Sequence, residues 1–216
     1  MNALVLDNVT IGLNGRTLLN LTETVLPGET LTVMGESGSG KSSLLAYICG
    51  FLDSSFSASG DVYLGEQNLC ALPSHLRHTG ILFQDPLLFP HMSVGENLLF
   101  AVPASVTGAM RRARADVALA EAGLDGFFDR DPATLSGGQK ARVALMRVLV
   151  SQPSALLLDE PFSKLDSGRR DRIRKFVFEE ARRQNLPTLL VTHDAADAVA
   201  AEGRIVRLDD LPTAAP

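Results

Sequence analysis

A loop that could bind phosphate groups lies early in the chain, where residues 35–42 read GESGSGKS. The run fits the pattern G-x-x-x-x-G-K-[ST], whose glycines let backbone N–H groups turn inward around phosphate oxygens. A strand predicted before it and a helix predicted after it favour this interpretation over a glycine-rich turn without a ligand. We expect Lys41 to reach the β- and γ-phosphates of a nucleotide and the Ser42 hydroxyl to bind Mg²⁺. The candidate nucleotide-binding residues here are Gly35, Glu36, Ser37, Gly38, Ser39, Gly40, Lys41, Ser42 and Ser43.

Two neighbouring carboxylates, Asp159 and Glu160, follow the apolar run Ala155–Leu158. That run predicts a buried strand, and in open α/β folds ligands bind at the carboxyl edge of the sheet. The pair could instead be plain surface residues or the cap of a helix. The phosphate loop upstream disfavours both alternatives.

A third motif, Leu135-Ser136-Gly137-Gly138-Gln139, lies between the phosphate loop and the acidic pair. Alone it would be a weak signal, compatible with the start of a helix. In this order and spacing the three motifs resemble those of ABC-type ATPases. In that family the third motif, called the signature motif, contacts the γ-phosphate of ATP that is bound to a different copy of the domain. The resemblance implies ATP binding across a head-to-tail homodimer by four residues of this motif: Ser136, Gly137, Gly138 and Gln139.

The resemblance also implies roles for single residues around the phosphates. Asp159 would hold Mg²⁺, and Glu160 would position or deprotonate the attacking water. Gln84 matches the glutamine that contacts Mg²⁺ or this water, so it counts with both the catalytic and the metal-binding residues. His193, which follows a predicted buried strand, matches the histidine that contacts the γ-phosphate. The expected catalytic residues are therefore Glu160, His193 and Gln84.

Three further positions either extend the family pattern or depart from it. Asp166 matches a residue of the loop that couples the two active sites of the family. Lys164 lies in the same loop, at a position where the family commonly has a small residue. Leu13 stands where the family commonly stacks an aromatic side chain on adenine, and no Phe, Tyr or Trp precedes Tyr47. The base should rest on aliphatic surface or on a group from elsewhere. We therefore expect weaker base selectivity and nucleotide affinity than in relatives with the aromatic residue.

The segment 83–94 is similar to the ATP-binding subunits of bacterial importers, and the run 131–134 before the signature is most similar to the YnjD-type subunits. Within the first segment, we interpret His91 as structural. The chain is thus expected to bind ATP and Mg²⁺, to hydrolyse ATP, and to power solute import through a separate membrane permease. A solute-binding protein would be an indirect partner. An exporter ATPase is the nearest alternative, because the motor looks similar in both.

Other function classes agree less well with these motifs. P-loop kinases do not require the signature motif, so its presence disfavours that class. Non-transport ABC ATPases of DNA repair or translation usually carry two such domains or long coiled-coil insertions, whereas the stretch from Gln84 to Leu135 has room for a plain helical lobe. A catalytically inactive scaffold is disfavoured by intact Lys41, Asp159 and Glu160.

The elements predicted around the motifs are those of an α/β fold. Residues 3–34 are β-rich, residues 52–60 read as a polar loop, and residues 85–134 contain helical patterns without a convincing strand. We expect a P-loop NTPase of the ABC type, with a RecA-like mixed-sheet core, an N-terminal antiparallel β subdomain and an inserted helical subdomain. One domain would span 1–216: core and β subdomain over 1–84 and 152–210, helical subdomain with the signature over 85–151, and a tail over 211–216.

Composition sets limits on partners and compartment. The 216 residues are 45% hydrophobic and 21% charged, as in ordinary globular proteins, and the net charge of −5 gives no support to nucleic-acid binding. Cys49 and Cys70 match neither a disulfide framework nor a metal site. No secretory leader and no apolar run of bilayer-spanning length is visible. We expect a cytoplasmic protein, peripheral on the inner face of the membrane through its permease, without a C-terminal regulatory domain.

Overall fold

The computed structural model describes residues 2–165 and 167–208, which form an α/β fold. The strands of this part of the chain are β1 (Leu4–Leu13), β2 (Arg16–Val25), β3 (Thr30–Met34), β4 (Phe56–Leu64), β5 (Gln67–Asn68), β6 (Thr79–Leu82), β7 (Ala155–Asp159), β8 (Thr188–Thr192) and β9 (Arg204–Arg207). Its α-helices are α1 (Lys41–Cys49), α2 (Val94–Ala101), α3 (Ala109–Glu121), α4 (Gly137–Val150), α5 (Ser167–Arg183) and α6 (Ala195–Ala201). An antiparallel sheet and a parallel sheet are both present, and the predicted α/β class is confirmed.

These residues group into two compact units. The first contains residues 2–81, 154–160 and 178–208, and the second contains residues 82–153, 161–165 and 167–177. Every residue from 85 to 151 is described, and none of them lies in a strand. The domain limits given above stay a prediction. None of the helices in these two units is long and apolar enough to cross a membrane.

The antiparallel sheet has the strand order β2-β1-β4-β5. Buried residues alternate along β1 up to Leu6 and resume at Val9, so the alternation changes phase between them. A β-bulge explains this change: Leu6 pairs with Glu23 and Val9 with Leu21, which leaves two residues of β1 opposite one of β2. Asn8, inside the bulge, adopts a φ of 49°, a conformation that asparagine tolerates better than most residues. The bulge keeps both halves of β1 facing the core.

The parallel sheet has the strand order β6-β7-β8-β3-β9, and its pairs β3–β8, β3–β9 and β7–β8 are parallel. β3 and β8 are buried along their whole length, as expected of strands covered on both faces. The register places Met34 beside Thr192 and Asp159 beside Val191. Because these strands run in the same direction, the residues that follow β3, β7 and β8 leave the sheet at one edge. That edge is where open α/β folds bind their ligands.

Helix α1 is held rigidly behind this edge. Its Leu44, Leu45 and Ile48 side chains are fully buried in the core, and each contributes roughly 1.5–3 kcal/mol relative to an exposed side chain. At the other end of the helix, the buried Arg77 guanidinium donates to the carbonyl oxygens of Tyr47 at 2.8 Å and Ile48 at 2.9 Å. The bond to Ile48 satisfies one of the carbonyls that the end of a helix leaves without an intrahelical partner, and the Tyr47 carbonyl also accepts from the Gly50 N–H at 3.1 Å.

In the second unit, Asn97 and Arg147 anchor the segment that precedes α2. The Asn97 side chain is fully buried, accepts from the Phe89 N–H at 2.8 Å and donates to the Phe89 carbonyl at 3.1 Å. Arg147 of α4 donates to the carbonyl oxygens of Pro86 at 3.1 Å and Leu87 at 2.8 Å. Two helices therefore position the backbone that follows Gln84.

One expectation about the antiparallel sheet was wrong. Residues 56–60, assigned above to a polar loop, form the first half of β4. Residues 57–59 are exposed and lack the apolar alternation by which a half-buried strand is recognised. The strand forms because β1 pairs with it from Leu13 opposite Phe56 to Asp7 opposite Asp61. Hydrogen bonding to a neighbouring strand, rather than burial of side chains, determines its conformation.

Candidate active site

The loop between β3 and α1 has a backbone shaped to surround phosphate groups. Gly38 and Gly40 adopt φ angles of 85° and 88°, in the left-handed region that glycine enters without strain. Gly40 precedes α1 without any side-chain cap, so the first turn of the helix directs backbone N–H groups toward the loop. A Cβ on Gly40 would lie 3.1 Å from the Cβ of Leu18. Both the backbone angle and the packing require glycine here.

Lys41 opens helix α1 and is only 5% exposed. Its ammonium group lies across the loop and donates to the carbonyl oxygens of Gly35 at 2.8 Å and Glu36 at 2.6 Å, with the Ser39 hydroxyl at 3.4 Å. The cation is thus held at the centre of the loop. The exposed residues among the others predicted for this loop are Glu36, Ser37, Gly38 and Ser42, whereas the half-buried ones are Gly35, Ser39 and Ser43.

Ser42 and Asp159 meet at the carboxyl edge of the parallel sheet. The Ser42 hydroxyl donates to Oδ1 of Asp159 at 2.8 Å, although the two residues are 117 positions apart in the chain. Burial raises the pKa of the Asp159 carboxyl; the Ser42 hydrogen bond opposes the rise, the charge of Glu160 adds to it, and Lys41 opposes it. Two oxygen groups therefore converge directly beside the phosphate loop.

Glu160 and His193 form a second pair at the same edge. Nδ1 of His193 lies 3.0 Å from Oε1 of Glu160. Glu160 adopts a φ of 45°, and its N–H donates to the Val191 carbonyl at 3.0 Å. A non-glycine residue with positive φ is uncommon, and such strained positions cluster at functional sites. The geometry suits a carboxylate whose orientation is set by a histidine.

The turn that carries His193 is fixed by polar contacts that were not anticipated from the sequence. The Thr192 hydroxyl donates to Asp197 Oδ2 at 3.0 Å and accepts from the Asp194 N–H, also at 3.0 Å. The Asp194 carboxylate caps α6 by accepting from the Ala196 N–H at 2.7 Å. A Thr-x-Asp pattern before a short helix is the signal that could have revealed this frame.

In the second unit, the signature residues form the capped start of α4. The Ser136 hydroxyl accepts from the Gln139 N–H at 3.4 Å, and Oε1 of Gln139 accepts from the Ser136 N–H at 2.8 Å. This is a reciprocal capping box. Gly137 is exposed and Gly138 is buried beside Ile173. A helix therefore starts at this motif, and its half-buried serine is held in a defined orientation.

Gln84 lies exposed in a bend just after β6. Beside it, Asp85 accepts two hydrogen bonds from the Lys164 ammonium group, both at 2.7 Å. Lys164, the residue that replaces a small one in the family pattern, therefore ties the segment after Gln84 to the segment before Asp166. Asp166 itself lies outside the described residues.

Leu13 ends β1 and is half-buried. It pairs with Arg16 across a tight turn at Asn14-Gly15 and with Phe56 of β4 on its other side. Directly paired residues of antiparallel strands lie on one face of the sheet. An aromatic residue therefore neighbours Leu13 in space, although none is near it in the sequence.

Comparison with known proteins decides the family. The profile described as "ABC transporter" matches residues 18–163, more than half of the chain. The chain belongs to the ABC transporter family. The ABC transporter ATP-binding protein YnjD of Escherichia coli (strain K12) is 50% identical over 198 residues, which are 91% of this chain and 91% of that protein.

Further relatives carry names that state a substrate. Fe(3+) ions import ATP-binding protein FbpC 1 of Rhizobium meliloti (strain 1021) is 39% identical over 194 residues, 88% of this chain. FbpC 2 of Pectobacterium atrosepticum is 38% identical over 209 residues, 94% of this chain. The chain spans only 54% and 59% of these two proteins. The family match and these similarities place the chain among ABC transporter ATP-binding subunits, which are ATPases.

Proposed function

We propose that the chain hydrolyses Mg²⁺-ATP at two composite sites of a head-to-tail homodimer, and that this drives solute import through a separate membrane permease. The observation that carries the proposal is the convergence of the loop at Lys41, the Ser42–Asp159 pair and the Glu160–His193 pair at one edge of the parallel sheet. Each of these groups matches a task in phosphoryl transfer to water.

The residues beside the phosphate loop fit a magnesium ion. Mg²⁺ prefers oxygen ligands and is commonly bound by one or two protein groups together with substrate phosphates. The Ser42 hydroxyl and the Asp159 carboxylate, 2.8 Å apart, are such a pair, and Gln84 would add an amide oxygen. When bound, the ion would neutralise charge that develops on the phosphate oxygens.

Glu160 is the proposed general base. Its Oε1 lies 3.0 Å from Nδ1 of His193, so that an N–H on this nitrogen would orient the carboxylate that accepts a proton from the attacking water. His193 is more than half exposed and would contact the γ-phosphate through its other ring nitrogen. Lys41 would exchange its bonds to the loop carbonyls for the β- and γ-phosphate oxygens.

The second half of each site would come from the other copy. In the family resemblance, the signature reaches across the dimer to the γ-phosphate, and Asp166 belongs to the loop that links the two sites. The capped Ser136 hydroxyl supports this role, because a hydroxyl that accepts one hydrogen bond still has a proton to donate. The backbone N–H groups of Gly137 and Gly138 lie in the same first turn of α4.

The permease would dock beside Gln84 and the helices of the second unit, and would place the protein on the inner face of the membrane. A solute-binding protein would act only through the permease. Import is supported by the similarity to the FbpC proteins, whose names specify Fe(3+) import. The transported solute would be chosen by the permease and the solute-binding protein.

A mixing experiment tests the shared sites. Ser136→Arg and Lys41→Ala chains should each be inactive as homodimers, because each lacks one half of both sites. A heterodimer of the two has one site with both lesions and one site with neither, so part of the ATPase activity should return. Inactivity of a heterodimer proven by tagged co-purification would contradict shared sites with independent firing. Full activity of either homodimer would contradict the role of the altered residue.

A further inference from the structure

Strand β8 ends in a buried threonine that is bonded to two groups of the segment that follows it. Thr192 is 1% exposed, and its hydroxyl donates to Asp197 Oδ2 and accepts from the Asp194 N–H, each at 3.0 Å. Asp194 caps helix α6, and Asp197 lies in the first turn of that helix. All of these residues belong to the first unit. The hydroxyl therefore ties the end of the strand to both ends of the turn that carries His193.

This arrangement is a capping box with a hydroxyl inserted into it. In an ordinary capping box, a side chain at the third helical position reaches back to the N–H of the cap residue. Asp197 occupies that position here, but it bonds to the Thr192 hydroxyl, which in turn accepts from the Asp194 N–H. An ionised carboxylate only accepts hydrogen bonds, so the hydroxyl points its proton at Asp197 and its lone pair at the turn. Asp197 thus determines the direction of both hydrogen bonds.

The carboxylate of Asp197 occupies a place where an apolar side chain would be expected. It is 2% exposed, and the other buried residues of α6 are Ala198 and Ala201. Burying a carboxylate is costly even when it is hydrogen-bonded, and well-packed apolar replacements are often as stable. The orientation that Asp197 gives to the turn therefore explains its presence better than stability does.

The residues on either side of Thr192 both contact Glu160. The Val191 carbonyl accepts from the Glu160 N–H at 3.0 Å, and Nδ1 of His193 lies 3.0 Å from Oε1 of Glu160. The imidazole of His193 is 53% exposed, so burial alone does not hold the ring. A rotation of the turn would leave the backbone bond from Glu160 in the sheet but would separate the imidazole from the carboxylate.

We propose that Asp197 is a positioning residue: acting through the Thr192 hydroxyl, it holds the turn in which His193 meets Glu160. The inference rests on the proposed function, in which His193 and Glu160 serve ATP hydrolysis. Neither Asp197 nor Thr192 contacts the reacting groups in that function. Turnover should therefore depend on both residues, and this dependence should pass through His193.

The first measurement is the steady-state ATPase rate of Thr192→Val, which keeps the size of the side chain and removes the hydroxyl. Its turnover number should fall about tenfold or more, the usual worth of a hydrogen bond to a charged group. The ATP Michaelis constant should change by less than about twofold, because the residues of the phosphate loop are intact. Thr192→Ser, which keeps the hydroxyl, should retain most of the turnover.

Thr188→Val is the matched control. Thr188 begins β8 and is also fully buried, and its hydroxyl donates to the Leu186 carbonyl at 3.2 Å. This variant loses a buried hydroxyl from the same strand but should keep wild-type turnover. Equal turnover of Thr192→Val and Thr188→Val would overturn the proposal.

Two variants test Asp197 itself. Asp197→Ala leaves a cavity and Asp197→Leu fills it, but both lack an acceptor, so a shared loss of turnover excludes packing as the cause. Urea unfolding identifies the variants that fold. Combined with Thr192→Val, either change should lower turnover no further, because both residues act through one hydrogen bond. Fully additive losses would overturn the relay through Thr192.

A double-mutant cycle with His193→Ala shows whether the effect passes through the imidazole. In the His193→Ala background, Thr192→Val should cause no further loss of turnover. The same fold loss in both backgrounds would assign Thr192 to stability or to another group and would overturn the proposal. Wild-type turnover of His193→Ala alone would instead contradict the role of His193 in the proposed function.

The position of the imidazole can also be measured without hydrolysis. The ring nitrogen resonances of His193 are assigned in ¹⁵N NMR spectra by their absence from His193→Ala. They should shift in Thr192→Val and in the folded Asp197 variants but not in Thr188→Val. Unchanged resonances in Thr192→Val would overturn the inference whatever the ATPase activity of the protein.

Discussion

Helices α1 and α4 both begin in glycine- and serine-rich stretches, but their first turns are satisfied in different ways. Helix α1 follows Gly40, which has a φ of 88° and offers no side-chain cap. Helix α4 follows Ser136, which shares a reciprocal capping box with Gln139. In the first case, the backbone N–H groups face the phosphate loop, across which the Lys41 ammonium group donates to the carbonyl oxygens of Gly35 and Glu36. In the second, the protein supplies its own acceptors.

This difference separates two tasks. An uncapped helix start exposes donors to a phosphate group and suits tight binding of a charged ligand by the same chain. The capping box of α4 satisfies the Ser136 and Gln139 N–H groups and fixes the Ser136 hydroxyl beside the N–H groups of Gly137 and Gly138, which suits recognition of a ligand that another chain brings. In the proposed function, binding and chemistry belong to the α1 region and recognition in trans belongs to the α4 region.

The largest effect is expected from Glu160→Gln, which removes the proposed base near α1. Turnover of ATP should fall roughly 10²–10⁴-fold, the usual worth of positioned acid–base catalysis. ATP binding should survive, so the variant should collect as an ATP-bound dimer on size-exclusion chromatography. Glu202→Gln is the control, because Glu202 has a similar φ of 54° but is exposed. Near-wild-type turnover of Glu160→Gln would remove this residue from the role.

Glycine-to-alanine changes should have opposite signs at the two helix starts. Gly40→Ala should destabilise the protein by about 1–3 kcal/mol, because φ is positive and the new methyl would press on Leu18. At Gly138 the new Cβ would lie 3.7 Å from Ile173 Cδ1, an ordinary contact, and φ is helical. Gly138→Ala should therefore be neutral or stabilise by up to about 1 kcal/mol. Urea unfolding of both variants measures the difference; equal destabilisation would contradict the comparison.

Ser136→Ala separates capping from recognition when compared with Ser93→Ala. Ser93 forms the same capping box with Glu96 at the start of α2, so each substitution should cost about 1 kcal/mol of stability. Only Ser136→Ala should also reduce ATPase activity, by about tenfold if its hydroxyl bonds a phosphate. Unfolding curves and steady-state rates of both variants provide the test. Equal rates would show that Ser136 is a cap and nothing more.

The smallest effect is expected at Leu13, the position that the family resemblance places against the nucleotide base. Stacking of a base on an aromatic ring is worth roughly 1–3 kcal/mol, and Leu13 lacks the flat surface for it. Leu13→Tyr should lower the ATP Michaelis constant several-fold and leave the turnover number nearly unchanged, because stacking is equal in ground and transition states. The wild type should discriminate poorly between ATP and GTP. If both Michaelis constants stay where they were, Leu13 does not face the base.

Much of the site could be predicted because its motifs are local. The positive φ angles of Gly38 and Gly40 follow from a glycine pattern within eight positions, and the cap of α4 follows from Ser136 and a glutamine three residues later. The frame of the His193 turn and the buried Asn97 anchor were missed. Their partners are backbone groups or short polar side chains, which leave no distinctive pattern in a sequence.

The first half of β4 shows where local patterns mislead. Its residues look like a loop because their side chains are exposed, yet they pair with β1. The same pairing brings Phe56 beside Leu13, where the sequence shows no aromatic residue. Strand pairing depends on backbone hydrogen bonds between distant segments, and a short polar run does not reveal which segment it will meet.

By itself, the sequence determined the α/β class, the phosphate loop, the helix start at Ser136 and the family to which these motifs point. Only the tertiary structure decided that Ser42 meets Asp159, that Glu160 meets His193 with a positive φ, and that Thr192 bonds to Asp197. The physical reason is the range of the interactions. Helix caps and glycine turns are set by neighbours in the chain, whereas the edge of a parallel sheet exists only once separate strands have taken their order and register.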